Sequence, residues 1–250
     1  MPEFTSDITG AILAGGLGTR LRSVVSDRPK VLAEVRGKPF LAYLLDQLGQ
    51  TGIHRVVLLT GYKSEQIEAT FGNQYRNIQL DYSTETEPLG TAGALRLALP
   101  KLFPASSPRE TESAGTVLML NGDSYCAADL NEFRAFHGLR SGIASLVLTR
   151  VDDTSSFGKV EVTPDHRVER FLEKQQAGGT GWINAGVYLI PQKLIEKIPA
   201  GRAVSMEREM FPAWSQDGQL RGFRSHSEFL DIGTPESYRA AEQFFSPRAA

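Results

Sequence analysis

Short apolar runs alternate along this chain with segments whose apolar residues recur at helical spacing. Ile8 to Leu13 is a nearly continuous apolar run, the pattern of a strand buried on both faces. Behind Gly37-Lys38-Pro39, which opens a helix, Phe40, Leu41, Leu44, Leu45 and Leu48 fall on one helical stripe. Arg55 to Thr60 (RVVLLT), bounded by Gly52 and Gly61, is a second buried strand. Ser64 is placed to cap the next helix, with Glu65 in its first turn, and Ile78 to Ser83 is a third strand. Thr116 to Leu120 is a fourth, very apolar strand, Asp129 with Glu132 marks a capped helix through Leu139, and Ile143 to Arg150 is a fifth strand. The first three strands, with the helices between them, predict a parallel sheet with right-handed crossovers.

After the fifth strand the pattern changes. Gly158 to Val162, Val168 to Phe171 and Trp182 to Ile190 are strand-like segments without long helices between them, which predicts a mixed-sheet extension shaping a second pocket. Asn184-Ala185-Gly186 interrupts the last of these. Glu228 to Leu230 reads as a strand, and Thr234 as N-cap with Pro235 as first helical residue begins a final helix through Phe245. Pro104 to Gly115 holds mainly turn and polar residues and reads as a surface excursion.

Composition narrows the class. With 250 residues, 41% hydrophobic and 22% charged, the chain suits one soluble α/β domain. A single cysteine, Cys126, excludes an internal disulfide framework and any multi-thiolate zinc site, and reads as a core side chain. His54, His137, His166 and His226 have no ligand spacing among them. The amino terminus carries acids and no basic region before its apolar run, and no apolar stretch is long enough to span a bilayer, so a cytoplasmic location without membrane contact is expected.

Candidate chemistry concentrates where the first strand ends. Leu13 to Lys30 (LAGGLGTRLRSVVSDRPK) supplies Gly15, Gly16 and Gly18, then Arg20, Arg22, Arg28 and Lys30. Glycines alone would suit an ordinary strand-to-helix turn. The surrounding charge favours a polyphosphate cradle: Leu17 to Lys38 holds six basic residues (Arg20, Arg22, Arg28, Lys30, Arg36, Lys38) against two acids (Asp27, Glu34), in a chain of net charge −2. So local an excess suits a small anionic ligand rather than a nucleic acid. Pro29 gives Lys30 a fixed departure direction. In Glu85 to Ala94 (ETEPLGTAGA), Thr91 is placed to cap a helix whose slim start either exposes N–H groups to a ligand or allows a close helix-to-sheet contact; the residues leave both open. Asn121-Gly122-Asp123 follows the fourth strand directly, where ligands of open α/β sheets collect. Asp231 lies just before the last helix.

LAGGLGTRL, Pro29-Lys30, EPLGTAGA, NGD, FLEK, INAGVY and DIGTPESY, in that order, resemble the sugar-1-phosphate nucleotidyltransferases over about Ile8 to Phe245. Arg22-Ser23-Val24-Val25, the single-domain length and the DIGTPESY ending look most like the D-glycero-α-D-manno-heptose 1-phosphate guanylyltransferases within that family. The resemblance implies a single-domain, Rossmann-like, three-layer α/β/α fold with a mostly parallel mixed central sheet. Its nucleotide-binding half would be about 8–125 and its sugar-phosphate-binding half about 126–246. It implies attack of a sugar 1-phosphate on the α-phosphorus of an NTP, GTP by preference, with release of pyrophosphate. Mannose 1-phosphate guanylyl transfer and uridylyl or thymidylyl transfer are the alternatives. By the family pattern Gly15, Gly16, Gly18 and Thr19 hold phosphates, Leu13, Ala14, Glu87, Leu89, Gly90, Thr91, Gly93 and Asn121 frame the nucleotide, and Arg20 and Lys30 meet the leaving pyrophosphate. Asp123 and Asp231 hold Mg²⁺, and Gly122, Glu173, Lys174 and Asn184 serve the sugar phosphate. For Asn184, satisfying backbone groups is an equal alternative. A homodimer is compatible with this reading.

Two other classes fit less well. Gly16-Leu17-Gly18 begins a dinucleotide fingerprint, but Leu21 stands at its third glycine and Thr60-Gly61 offers no acid for a ribose; no GxxxxGK[ST] is present either. A silent nucleotide-sensing subunit of the same fold could discard Asp123, Lys174 and Asp231, yet all three are present.

Overall fold

In this computed structural model residues 8–104, 115–139, 142–172 and 178–246 are described. β1 (Thr9–Leu13) leads through two single-turn 3-10 segments to a small hairpin of β2 (Glu34–Val35) and β3 (Lys38–Pro39). Then come α1 (Phe40–Gln50), β4 (Arg55–Thr60), α2 (Ser64–Phe71), β5 (Gln74–Tyr75), β6 (Ile78–Thr84), α3 (Gly90–Leu97) and α4 (Leu99–Leu102). The second half runs β7 (Thr116–Asn121), β8 (Ser124–Cys126), α5 (Leu130–Gly138), β9 (Ala144–Val151), β10 (Lys159–Val162), β11 (Val168–Leu172), β12 (Gly181–Pro191) and α6 (Gln192–Glu196). A π-helical turn over Met206–Met210, α7 (Phe211–Gln216), β13 (Leu220–Ser225), β14 (Phe229–Asp231) and α8 (Pro235–Phe244) complete it.

Eight strands form one sheet in the order β13-β9-β12-β7-β1-β4-β6-β5. β7, β1, β4 and β6 are parallel, as the alternation of elements predicts. β12 runs antiparallel to both β7 and β9, which makes the sheet mixed. Successive residues of the central strands enter opposite layers. Ile12, Leu58 and Leu120 pack with apolar residues of α1, α2 and α5, whereas Ala11, Val57 and Met119 pack with those of α3, α6 and α7. Burial on both faces explains why these strands read as apolar runs with no polar alternation. Cys126 is fully buried, and burial pushes its thiol up to about 11, so it stays protonated and packs as an apolar group.

Several elements depart from the sequence reading. Ser64 is already the first residue of α2; the N-cap is Lys63, in the left-handed region, with no side-chain cap. β13 and the π-turn at Met206 are absent from the sequence reading. LRGFRS has two arginines and a glycine in six positions, and Gly222 lies so close to Leu148 that an added Cβ would sit 2.5 Å from that side chain. Pro104 to Gly115 falls largely outside the described residues. Asp129 does cap α5, accepting from the Asn131 and Glu132 amides, and Thr234 caps α8 in a reciprocal box with Ser237.

Buried His137 of α5 sets an acid limit on stability. Its Nδ1 lies 2.9 Å from the Ser145 hydroxyl on β9, and burial lowers its pKa from 6.5 to about 4. The unfolded chain takes up this proton near pH 6.5 and the folded chain does not, so the contribution is complete above pH 6.5 and is lost as pH falls toward 4. The shift corresponds to about 3 kcal/mol. In urea unfolding between pH 7 and pH 4, His137→Gln should lose correspondingly less stability than the wild type. Equal losses would rule out His137 as the source.

Candidate active site

The site forms where β1, β4 and β7 end side by side. Leu13 is in register with Leu59 of β4 and Asn121 of β7, so the loops after all three strands open onto one edge of the sheet. Ala14 donates its amide to the Leu59 carbonyl at 2.7 Å and extends that registry by one residue. Gly18, with φ 59°, turns the chain into a 3-10 segment carrying Thr19 and Arg20, both exposed. A Cβ on Gly122 would lie 2.1 Å from the Leu13 carbonyl oxygen, so glycine there lets the β7 loop close directly onto β1.

That closure delivers Asp123 to the mouth of the loop. Asp231 arrives by another route: β14 pairs with β8, placing Asp231 opposite Ser124, and the Ile232 amide donates to the Asp123 carbonyl at 2.8 Å. The two aspartates, remote in sequence, thus sit together. Lys30, departing from Pro29, donates through Nζ to Asp123 Oδ2 at 2.5 Å. Asp231 Oδ1 accepts from the Gly233 amide at 2.7 Å, and a Cβ on Gly233 would lie 3.0 Å from Arg20 Nη2. Burial, and after it the charge of Asp123, raises the Asp231 carboxyl above its ordinary pKa; the Gly233 amide, Lys30 and Arg20 oppose the rise. Two carboxylates and two cations therefore share one small volume.

The donor chemistry fits a hard divalent cation. Among the described residues no cluster of three or more His, Cys, Asp or Glu is arranged to hold a metal. Asp123 and Asp231 offer two carboxylates, the sparse protein share typical of a magnesium-type ion whose shell is finished by phosphate oxygens and water. Such a charge would also relieve the repulsion that burdens Asp231.

Of the two alternatives for the Glu85–Gly93 stretch the structure takes the close contact, though against an irregular segment and not the sheet, and without the Thr91 cap. Thr91 lies inside α3, not at its cap; its hydroxyl donates to Glu207 Oε2 at 3.0 Å and accepts the Met206 amide at 2.7 Å. The Ala92 and Gly93 amides donate to the Val204 carbonyl at 3.0 and 3.2 Å, so these N–H groups are not open to a ligand. The slim start of α3 serves a close contact with residues 202–206, and a Cβ on Gly90 would lie 2.6 Å from the Val204 oxygen. Sequence spacing holds no sign of this partner, because Val204 belongs to an irregular segment far along the chain. Glu87 is exposed, and Leu89 is half-buried.

Glu85, absent from the sequence reading of the site, turns inward instead. Its Oε2 accepts the Leu89 amide at 3.0 Å, and its Oε1 lies 3.0 Å from where a Cβ would stand on Gly15 or on Gly61. Both glycines make room for a carboxylate, and burial raises its pKa. The signal was the paired glycines after β1 and β4, which share one neighbour only in three dimensions.

On the opposite side, Asn184 Nδ2 donates to the Tyr188 hydroxyl at 2.8 Å and its Oδ1 accepts the Gly186 amide at 3.0 Å, so both ends are held within β12. The interruption around Asn184 is a register shift against β9. Asn121 Oδ1 and Ser124 Oγ, nearby, are buried without a protein partner. Gly16 faces open space. Glu173 and Lys174 lie outside the described residues.

A family model described as nucleotidyl transferase matches residues 9–247. The chain belongs to the nucleotidyl transferase family. This nucleotidyl transferase is 39% identical over 232 residues to the D-glycero-alpha-D-manno-heptose 1-phosphate guanylyltransferase of Aneurinibacillus thermoaerophilus, covering 93% of this chain and 96% of that one. It is 38% identical over 237 residues to the mannose-1-phosphate guanylyltransferase of Mycobacterium tuberculosis, covering 94% of this chain but only 63% of that relative's length. Among solved structures it resembles HddC from Yersinia pseudotuberculosis, with 34% identity, a TM-score of 0.81, and coverage of 96% of this chain and 100% of that one. HddC complexed with GMP-PN matches with a TM-score of 0.80. No helix among the described residues is long and apolar enough to cross a membrane.

Proposed function

We propose that the protein transfers the GMP unit of GTP to a sugar 1-phosphate, D-glycero-α-D-manno-heptose 1-phosphate, and releases pyrophosphate. A phosphate oxygen of the sugar 1-phosphate attacks the α-phosphorus, a new P–O bond forms, and the bond to the β-phosphate oxygen breaks. The observation that carries this reading is the meeting of Asp123, Asp231, Lys30 and Arg20 at one end of the sheet. Two polyanions must be brought together there, and fixed charges offset their repulsion without reorganising during the reaction.

Arg20 and Lys30 face the β- and γ-phosphates and stabilise the charge that develops on departing pyrophosphate. The loop of Gly15, Gly16, Gly18 and Thr19 lets the phosphates approach the backbone. Asp123 and Asp231 would hold a divalent cation, Mg²⁺ in this proposal, which supplies positive charge to the phosphate oxygens when bound. No general base is needed, because a sugar phosphate is already anionic at neutral pH. Glu173 and Lys174 are assigned to the sugar phosphate by their place in the family pattern alone. Asn184, whose side chain is held by Tyr188 and Gly186, is likewise assigned to the sugar phosphate by the family pattern.

Glu85 supports the choice of guanine. Guanine presents two adjacent donors, N1–H and the N2 amino group, to a carboxylate; uracil and thymine present one donor between two carbonyls, which a carboxylate repels. Identity to the heptose 1-phosphate enzyme extends over nearly its whole length and supports the acceptor, while similar identity to a mannose-1-phosphate enzyme makes mannose 1-phosphate the second reading. A pyrophosphate-release panel of GTP, ATP, CTP, UTP and dTTP against heptose, mannose and glucose 1-phosphates tests both choices. GTP with the heptose phosphate should give the highest kcat/KM. Preference for mannose 1-phosphate would select the second reading, preference for UTP or dTTP would overturn the base assignment, and no turnover with any pair would leave the sensing-subunit reading.

A further inference from the structure

We propose that Lys63, with Tyr62 and Gln66 at the start of α2, forms a clamp that holds the loop from Gly15 to Lys30 and so positions Arg20 and Lys30. The kinetic consequence of the clamp rests on the transfer reaction proposed above; its mechanical consequence does not.

The first observation is a backbone outlier. Lys63 has φ 53° and ψ 40°, a left-handed conformation in which the Cβ of an ordinary residue is crowded. Glycine would occupy this turn without strain, so the lysine is held there by what its side chain does. Its Nζ donates to the Asp27 carbonyl at 2.7 Å and more weakly to the Ser26 carbonyl at 3.5 Å. Gln66 Nε2 donates to the same Asp27 carbonyl at 3.2 Å. Two side chains one helical turn apart thus close on one oxygen near the far end of the loop.

The grip extends to the rest of the loop. The Tyr62 amide donates to the Gly15 carbonyl at 3.5 Å, at the loop's beginning. Midway, the Arg22 guanidinium lies 5.6 Å from the centre of the Tyr62 ring, and the Lys63 ammonium lies 5.3 Å from the same ring. A cation on an aromatic face is attracted by the ring quadrupole, so Tyr62 draws the middle of the loop inward. One short segment after β4 therefore holds the beginning, middle and end of the loop that bears both cations of the site. On the loop's outer side Arg28 binds Asp27 and Glu34 through exposed ion pairs, which contribute little rigidity. A misplaced charge at a transferring phosphate is costly, so a loosened loop should be felt in turnover. Lys63 is a positioning residue: it touches the loop and not the reacting atoms.

Lys63→Gly separates the clamp from the fold, because it removes the ammonium and relieves the left-handed strain together. In that variant, amide hydrogen exchange across residues 21–28 should accelerate about tenfold or more while exchange in α1 and β4 stays as in the wild type. kcat/KM for the NTP should fall about tenfold, KM for the sugar 1-phosphate should be unchanged, and the thermal midpoint should stay level or rise. Lys63→Arg, which keeps a donor and a positive charge, should restore exchange protection and most of the turnover. Unaltered exchange in residues 21–28, failure of Lys63→Arg to rescue, or a matched loss of affinity for both substrates with a lowered midpoint would overturn the proposal. If the wild type releases no pyrophosphate, the transfer reading fails while the exchange comparison still decides the clamp.

Discussion

Asp231→Asn should leave a folded protein that has lost metal-dependent transfer. Asp231 is buried beside Asp123, and both burial and the neighbouring charge act against its ionised form. Asparagine keeps the shape and the oxygen that accepts the Gly233 amide, while removing the charge that a divalent cation needs. Loss of a charged contact made to the transition state costs on the order of 3 kcal/mol, a hundredfold or more in rate. Asp123→Asn should be at least as damaging, because it also removes the negative charge paired with Lys30 at 2.5 Å. The metal-free Asp231→Asn protein should unfold at a higher temperature than the metal-free wild type at neutral pH, since one of two crowded carboxylates is gone. The wild type should gain thermal stability on adding Mg²⁺, and the variant should not. Pyrophosphate release titrated with Mg²⁺, alongside thermal unfolding with and without it, tests both parts. Wild-type turnover in either variant would remove the aspartates from the reaction. A variant less stable than wild type without metal would show that the carboxylate serves the fold.

The legible parts of this protein are those governed by local rules. The β1, β4 and β7 runs announce themselves because burial on both faces demands uninterrupted apolar residues, and Asp129 and Thr234 announce helix starts because capping is a contact within one turn. Asp123 and Asp231 were legible as candidates for a similar reason: each sits directly after or at the end of a short strand. Their meeting depends on the β8–β14 pairing, and a three-residue pairing leaves little trace in a sequence. Thr91 does not cap α3; it lies inside the helix, and its oxygen is used by Met206 and Glu207, residues in a π-turn that no periodicity marks. Asn184 shows the same limit in a milder form, since only coordinates reveal that Tyr188 and Gly186 occupy both ends of its side chain. Glu85 and Glu87 are near neighbours with the same chemistry. What separates them is the space left by Gly15 and Gly61, on two different strand ends.

That space leads to an expected change in base selectivity. In wild type, Glu85 Oε2 is fixed by the Leu89 amide, and Oε1 occupies the hollow between Gly15 and Gly61. A half-buried carboxylate with one backbone donor is incompletely compensated, and two converging donors from a ligand would complete it. Guanine brings such a pair. In Glu85→Gln the side chain keeps its size and one acceptor, but its amide end meets a guanine donor with another donor. A site that hydrogen-bonds its ligand can discriminate by about 10⁴, so losing half of that recognition should lower kcat/KM for GTP by roughly a hundredfold. Uracil, with a carbonyl beside its single donor, suits the glutamine amide better than the carboxylate, so the ratio of GTP to UTP turnover should fall further than GTP turnover itself. ITP supplies an internal control, because hypoxanthine keeps the N1 donor and lacks the exocyclic amine: the wild type should prefer GTP strongly over ITP, and the variant should treat the two nearly alike. These three ratios, measured by pyrophosphate release with one sugar 1-phosphate, test the assignment without depending on which sugar is the true acceptor. An unchanged GTP to ITP ratio in Glu85→Gln would place base recognition elsewhere on the wall of the cleft.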